Sequence, residues 1–150
     1  MDERKILIHN ATIVNEGESY LGYVVVDGEF IAAVGRGEPD QSLFEGAEAI
    51  DAKQRLLLPG VIDTHVHFRD PGLTHKADME SESRAAVAGG VTSFIDMPNT
   101  KPATVTVAAL EEKLRHASEV SVANYGFFIG AANDNLDQLK AVDYTRCGGV

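Results

Sequence analysis

The sequence predicts an α/β fold in which a small β domain precedes the first strands of a (β/α)8 TIM barrel. Residues 5–57 contain short strand segments separated by turn formers, whereas from residue 58 apolar strand segments alternate with helical segments. Strands that alternate with helices predict a parallel sheet with helical crossovers. A flavodoxin-like open sheet is the alternative. We therefore expect a β domain at 1–57 and barrel units at 58–150.

Each element of the β domain has a local signal. The stretch KILIHNATIV (5–14) is rich in β-branched residues, and YVVVDGEFIAAVG (23–35) consists of two apolar runs joined by Asp27-Gly28. The Asp-Gly pair predicts a hairpin in which both turn residues have positive φ. Residues 37–46 are rich in turn formers, and one or two further short strands are expected before residue 60. Nothing in this domain indicates a catalytic site.

Three β/α units and the start of a fourth follow. Acidic residues begin the first helix and glycine ends it, the second carries an apolar stripe, and the third has Asn or Asp near its cap. The expected strands cover 57–63, 91–98 and 120–131, and the expected helices 78–90, 106–118 (stripe Val107, Leu110, Leu114) and 133–142. The closing Gly148-Gly149-Val150 resembles the start of a strand, so we expect these 150 residues to be the N-terminal part of a longer protein.

Composition limits the classes of partner. The net charge is −10 and the isoelectric point about 4.8, which argues against binding to nucleic acid or to anionic membranes. Cys147 is the single cysteine, which excludes an internal disulfide and fits a reducing compartment. The first residues match neither a signal peptide nor a membrane span. We expect a cytoplasmic protein, and an anionic substrate would need local positive charge.

The most informative motif is DTHVHFRDPG, residues 63–72. Side chains alternate faces along a strand, so Asp63, His65, His67 and Arg69 share one side if the strand stays extended. In a barrel that side faces inward, and the carboxyl end of the strand is the active-site face. Two imidazoles about 6.5 Å apart along a strand can converge on one metal ion, and imidazole suits Zn²⁺. The alternative is two surface histidines beside a turn.

The segments PGVIDTHVHFRDPG and DMPNT resemble the N-terminal third of dihydroorotases of the amidohydrolase superfamily. The resemblance implies a metal-dependent TIM barrel with a small β domain built from both chain ends. It further implies that His65 and His67 bind the more buried metal, and that Arg69 and Asn99 bind the substrate carboxylate. The implied reaction is the reversible cyclisation of N-carbamoyl-L-aspartate to L-dihydroorotate in pyrimidine biosynthesis.

The resemblance also implies parts that these 150 residues lack. One or two zinc ions would need a bridging carboxylate or carbamylated lysine, two further histidines and a catalytic aspartate, all expected after Val150. We therefore expect no catalytic residue within this chain and no activity from it alone. The expected partners are a small anionic substrate and, in a homo-oligomer, further copies of the protein.

Three alternatives remain open. Hydantoinases (dihydropyrimidinases) share the His-x-His pair but usually lack an arginine two residues later, and allantoinases carry another residue there. A dihydroorotase-like scaffold without activity is the third, although Arg69 and the histidine pair argue against it. Among other residues, Asp63 is either a partner of a ligand or a structural strand-end residue. His75 is interpreted as a solvated loop residue and Asp96 as the acceptor of a structural hydrogen bond.

Overall fold

The computed structural model describes residues 4–150, which form two compact units with the boundary in the sequence between Pro59 and Gly60. The first unit is one five-stranded sheet. In it the central strand β1 pairs antiparallel with β2, which pairs antiparallel with β3, and β1 also pairs parallel with β4 and β5. The strands are β1 (Lys5–Asn15), β2 (Glu18–Asp27), β3 (Phe30–Arg36), β4 (Ala47–Asp51) and β5 (Leu56–Leu57). Its buried apolar residues are Leu7, Ala11, Ile13 and Val25.

The hairpin between β2 and β3 is confirmed, but its turn differs from the predicted one. Asp27 pairs with Phe30, so the turn residues are Gly28 and Glu29 and the aspartate ends the strand. Only Gly28 has a positive φ (57°), as at the first central position of a type II′ turn. A second hairpin, between β1 and β2, turns at Glu16 and Gly17, both with positive φ.

The second unit is a parallel three-stranded sheet, in the order β6-β7-β8, with a helix after each strand. Phe68, Phe94, Leu110 and Phe127 lie in its buried core. None of the helices within residues 4–150 is long and apolar enough to cross a membrane. The elements are β6 (Val61–Val66), α1 (Met79–Ala88), β7 (Val91–Asp96), α2 (Val107–Val120), β8 (Asn124–Phe127) and α3 (Leu136–Ala141).

Side chains cap the starts of α1 and α2. The Asp78 side chain accepts the amide of Ser81 at the start of α1, and Gly89 follows its end. Thr106 caps α2 by accepting the amide of Ala109. These bonds satisfy amides that have no partner within the helix.

The prediction that Asn or Asp lies near the start of α3 is confirmed. Asn135 occupies the cap position, but its side chain makes no capping bond. Instead its amide nitrogen donates to the carbonyls of Val105 and Gly130, and its oxygen accepts the amide of Ala132. The asparagine therefore ties together the loops that follow β7 and β8.

The predicted fourth strand begins where the glycine pair indicated. Phe128 and Gly149 form a parallel bridge, and the amide of Gly148 donates to the carbonyl of Phe127 over 2.8 Å. The last residues therefore lie beside β8 as the next parallel strand would.

Two loops, one after β6 and one after β7, touch at Gly72. The amide of Lys101 donates to the carbonyl of Pro71 over 3.1 Å. A Cβ atom at Gly72 would lie 1.7 Å from the carbonyl oxygen of Lys101, and Gly72 has a φ of 83°. Only glycine meets both requirements, a left-handed backbone and close backbone approach.

Gly72→Ala is therefore expected to destabilise the protein more than Gly90→Ala does. Gly90 also has a positive φ (87°), but no atom lies within 4 Å of its would-be Cβ. The control is destabilised only by the left-handed backbone conformation, by about 1–2 kcal/mol. Gly72→Ala must in addition push the two loops apart. Thermal unfolding midpoints of the two full-length variants test this, and equal midpoints would contradict the loop contact.

Candidate functional site

The residues predicted to form a site follow two neighbouring parallel strands. Val66, the last residue of β6, pairs with Asp96, the last residue of β7, and the amide of Met97 donates to the carbonyl of Val66. His65 and His67 flank the end of β6, and Asn99 lies three residues past the end of β7. In β/α barrels the catalytic groups lie at this carboxyl end of the strands.

The two histidines lie together on the solvent-exposed side of the chain. Their ring centroids are 5.2 Å apart, with the ring planes at 66°. Between and after them, Val66 packs against the core and Phe68 is buried. The alternation predicted for the histidine pair is therefore present, with imidazoles on one face and apolar side chains on the other.

His67 is held by Asn99. The Nδ1 atom of His67 is 2.9 Å from the Oδ1 atom of Asn99. An amide oxygen only accepts hydrogen bonds, so Nδ1 is the donor in this contact, and in the neutral imidazole Nε2 then keeps its lone pair. This is the tautomer that a histidine needs in order to bind a metal through Nε2. The amide nitrogen of Asn99 has no hydrogen-bond partner among residues 4–150, so the predicted role of Asn99 in substrate binding stays a prediction.

Arg69 does not follow the extended strand on which its predicted alignment depended. β6 ends at Val66, and Arg69 has a φ of 66°, in the left-handed region. Its carbonyl accepts the amide of Leu73 in a turn. Its half-buried side chain forms no hydrogen bond or ion pair with any residue in the described part of the chain.

Asp63 and His75 form no side-chain hydrogen bond with either imidazole in the part of the chain that the structure describes. The Oδ1 atom of Asp63 accepts the backbone amide of His65 over 3.1 Å, which is a local bond at the strand end. His75 lies exposed in the loop before α1. This bond supports the interpretation of Asp63 as a structural strand-end residue.

Behind the histidines, on the helix side of the sheet, lies a buried ion pair. Asp96 Oδ1 accepts the amide of Phe68 over 2.9 Å, which confirms the predicted structural hydrogen bond. Asp96 Oδ2 lies 2.6 Å from Nζ of Lys113, and each side chain is 1% exposed. Burial lowers the pKa of the Lys113 ammonium, and the carboxylate of Asp96 opposes that shift.

The predicted apolar stripe of α2 is confirmed, since Leu110 is buried and Val107 and Leu114 pack against the same core. The prediction did not include Lys113, which is buried on the same helix. The buried residues of α2 are Leu110, Lys113 and Ala117, whereas Leu114 is only partly buried. Spacings of three and four residues place these buried residues on one helix face. A lysine on that face was the available signal.

A second polar side chain of α2 contacts the loop after β6. The Nε2 atom of His116 is 3.0 Å from Oδ2 of Asp70, and the same oxygen accepts the amide of Met79 over 3.2 Å. Asp70 is buried and directly follows Arg69. This contact ties α2 to the loop that carries Arg69.

The two histidines fit a zinc ion in chemistry but not in number. Imidazole is a preferred zinc ligand, and His67 presents a free Nε2. Zinc sites usually have three or four protein ligands. Within residues 4–150 no group of three or more His, Cys, Asp or Glu residues lies close enough to hold a metal ion. The pair can therefore form only part of such a site.

A family model described as dihydro-orotase-like matches residues 54–147. The chain is 50% identical over 101 residues to a dihydroorotase of Halobacterium salinarum, covering 67% of this chain and 23% of that protein. It is 35% identical over 147 residues to an allantoinase of Deinococcus radiodurans, covering 97% of this chain and 31% of that protein. The chain thus spans less than a third of the length of either relative.

Solved structures agree with the predicted fold class. The L-hydantoinase (dihydropyrimidinase) of Arthrobacter aurescens superimposes with a TM-score of 0.87 at 28% identity, covering 96% of this chain and 32% of that one. A D-hydantoinase superimposes with a TM-score of 0.73 at 32% identity, covering 91% of this chain and 29% of that one. The predicted fold, a β domain followed by the first part of a TIM barrel, is confirmed.

The contact between His67 and Asn99 yields a prediction. Replacement of Asn99 by leucine removes the acceptor that fixes the His67 tautomer, so zinc affinity of the full-length protein should fall by roughly 10–100-fold. Asn99→Asp keeps an acceptor at the same place and serves as the matched control, with affinity near that of the parent. Competition with a zinc chelator measures both. Equal affinities for Asn99→Leu and the parent would show that this bond does not prepare His67 for metal.

Proposed function

Since the chain belongs to the dihydroorotase-like family of cyclic amidohydrolases, we propose that the complete protein is a zinc-dependent dihydroorotase. It would interconvert N-carbamoyl-L-aspartate and L-dihydroorotate in pyrimidine biosynthesis. Arg69, two residues past His67, is the observation that carries the choice of substrate. Hydantoin and dihydropyrimidine rings need not bear a carboxylate, whereas dihydroorotate does.

The charges around Arg69 support this role. Other arginines of the chain, such as Arg36, Arg84 and Arg115, pair with glutamates on the protein surface. The guanidinium of Arg69 has no such partner within the described residues, in a protein of net charge −10. A guanidinium offers a planar pair of donors that matches a carboxylate, and such a charge-assisted contact contributes about 1.5–3 kcal/mol. The amide nitrogen of Asn99 is available as a further donor.

His65 and His67 would hold the metal. Bound zinc supplies a Lewis acid that lowers the pKa of water to about 7 and polarises an amide carbonyl. The remaining ligands, including a bridging carboxylate or carbamylated lysine, and a proton-transferring aspartate would come from outside these 150 residues. These 150 residues would thus contribute two metal ligands, together with Arg69 as the residue that binds the substrate carboxylate.

Hydrolysis of another cyclic amide, as by an allantoinase or a hydantoinase, is the second candidate function. The allantoinase of Deinococcus radiodurans matches almost the whole chain, and the L-hydantoinase of Arthrobacter aurescens has a TM-score of 0.87. These relatives share the scaffold, so the scaffold does not select the ring. The substrates therefore have to be compared directly.

Arg69→Gln in the full-length protein should lower kcat/KM for dihydroorotate by tenfold or more, the equivalent of about 1.5–3 kcal/mol. Lys76→Gln, which removes a charge from an exposed position of the same loop, should leave it unchanged. Hydrolysis of dihydrouracil, hydantoin and allantoin by the parent is measured alongside. Preferential hydrolysis of one of these rings would reject dihydroorotase in favour of the matching relative.

His67→Ala should abolish turnover and reduce bound zinc while the protein stays folded, because it removes one ligand. His75→Ala is the matched control, since it removes an exposed imidazole from the following loop. Metal analysis and a thermal unfolding curve accompany the assay. If His67→Ala keeps the zinc content and activity of the parent, the histidine pair is not the metal site. Absence of zinc from an inactive parent would favour a scaffold.

A further inference from the structure

A buried lysine lies directly behind the predicted metal ligands. Nζ of Lys113, on α2, is 2.6 Å from Oδ2 of Asp96 and 3.2 Å from the carbonyl oxygen of Met97. It also lies 4.8 Å from the centroid of the Phe127 ring. Asp96 and Lys113 each have a side chain that is 1% exposed, whereas His65 and His67 are both exposed. The buried side chain of Lys113 is therefore closed off from the solvent that reaches the two histidines.

The ion pair joins the ends of two strands. Through Asp96 Oδ1 it holds the amide of Phe68, and this amide belongs to the peptide bond that follows His67. Through the carbonyl of Met97 it holds the chain two residues before Asn99. His67 and Asn99 then meet over 2.9 Å. One cation therefore anchors both segments whose side chains form the histidine–asparagine contact.

Stability alone is a poor reason for this arrangement. The desolvation of two buried charges can exceed their attraction, and replacement by apolar residues of similar size is often neutral or stabilising. An apolar pair would, however, leave the Phe68 amide and the Met97 carbonyl without these partners. The pair thus supplies the two strand ends with polar contacts that packing could not replace.

We propose that Lys113 is a positioning residue that acts through Asp96 to fix the geometry of His67 against Asn99. It fixes the direction of the carboxylate, and the carboxylate fixes the peptide after His67. The inference rests on the proposed function in that His67 is taken as a metal ligand. Its effect appears in metal geometry and affinity as well as in turnover.

The test uses two matched double variants of the full-length protein. Asp96→Asn with Lys113→Met removes both buried charges and so avoids leaving one of them unpaired. Glu112→Gln with Arg115→Met makes the same kinds of change in an ion pair that is exposed on the same helix. The readouts are zinc affinity by chelator competition, the visible spectrum of the cobalt-substituted protein, and the thermal unfolding curve.

We expect the buried double variant to unfold cooperatively, to bind zinc at least tenfold more weakly and to show an altered cobalt spectrum. The exposed double variant should match the parent in all three. Parental zinc affinity and spectrum in the buried variant would overturn the proposal and reduce the pair to a packing feature. Should that variant fail to fold, Lys113→Gln gives the decision by the same two measurements.

The metal content of His67→Ala separates this inference from the proposed function. If zinc binding by the parent does not depend on His67, the proposed metal site fails, whatever the buried variants do. If zinc binding depends on His67 but not on the buried pair, only the role of Lys113 fails.

Discussion

The hydrogen bond from the amide of Phe68 to the buried carboxylate of Asp96 is the constraint on which the rest of the second unit depends. At this point consecutive side chains of one segment lie in the core and in solvent. On one side Phe68 packs against Phe94 with ring centroids 4.4 Å apart, and on the other His67 stays open to solvent. A small rotation of this peptide would move the aromatic ring out of the core and the imidazole away from Asn99 together. Core packing and ligand direction are therefore set by one bond.

Period-two and helical patterns were sufficient wherever the determinants were local. The histidine pair, the acidic start and glycine end of α1, and the order of strands and helices all follow from residues a few positions apart. The placement of Arg69 did not follow, because the strand ends three residues earlier and the backbone enters the left-handed region. The turn after β2 also shifted by one residue, because the pairing of Asp27 with Phe30 selects Gly28 as the first turn position.

The residues that escaped prediction are those whose partners are distant in sequence. The buried ammonium of Lys113 has its counter-charge in Asp96, which lies at the end of β7, 17 positions earlier. His116 contacts Asp70 across 46 positions, and the oxygen of Asn99 is engaged across 32. A lysine in a helix is normally interpreted as a solvated residue, and no local pattern distinguishes the rare buried one. To predict that Lys113 is buried, one must first know which strand end lies against which turn of α2.

The contact at Gly72 has a consequence for how this scaffold can change. The loop after β6 carries Arg69 and the loop after β7 carries Asn99, and their backbones meet without room for a single methyl group. A change of length or path in one loop must therefore be matched in the other. Exchange of ring preference between members of this family by loop grafting would require both loops to be transplanted as one module, since a single grafted loop would meet an unmatched neighbour.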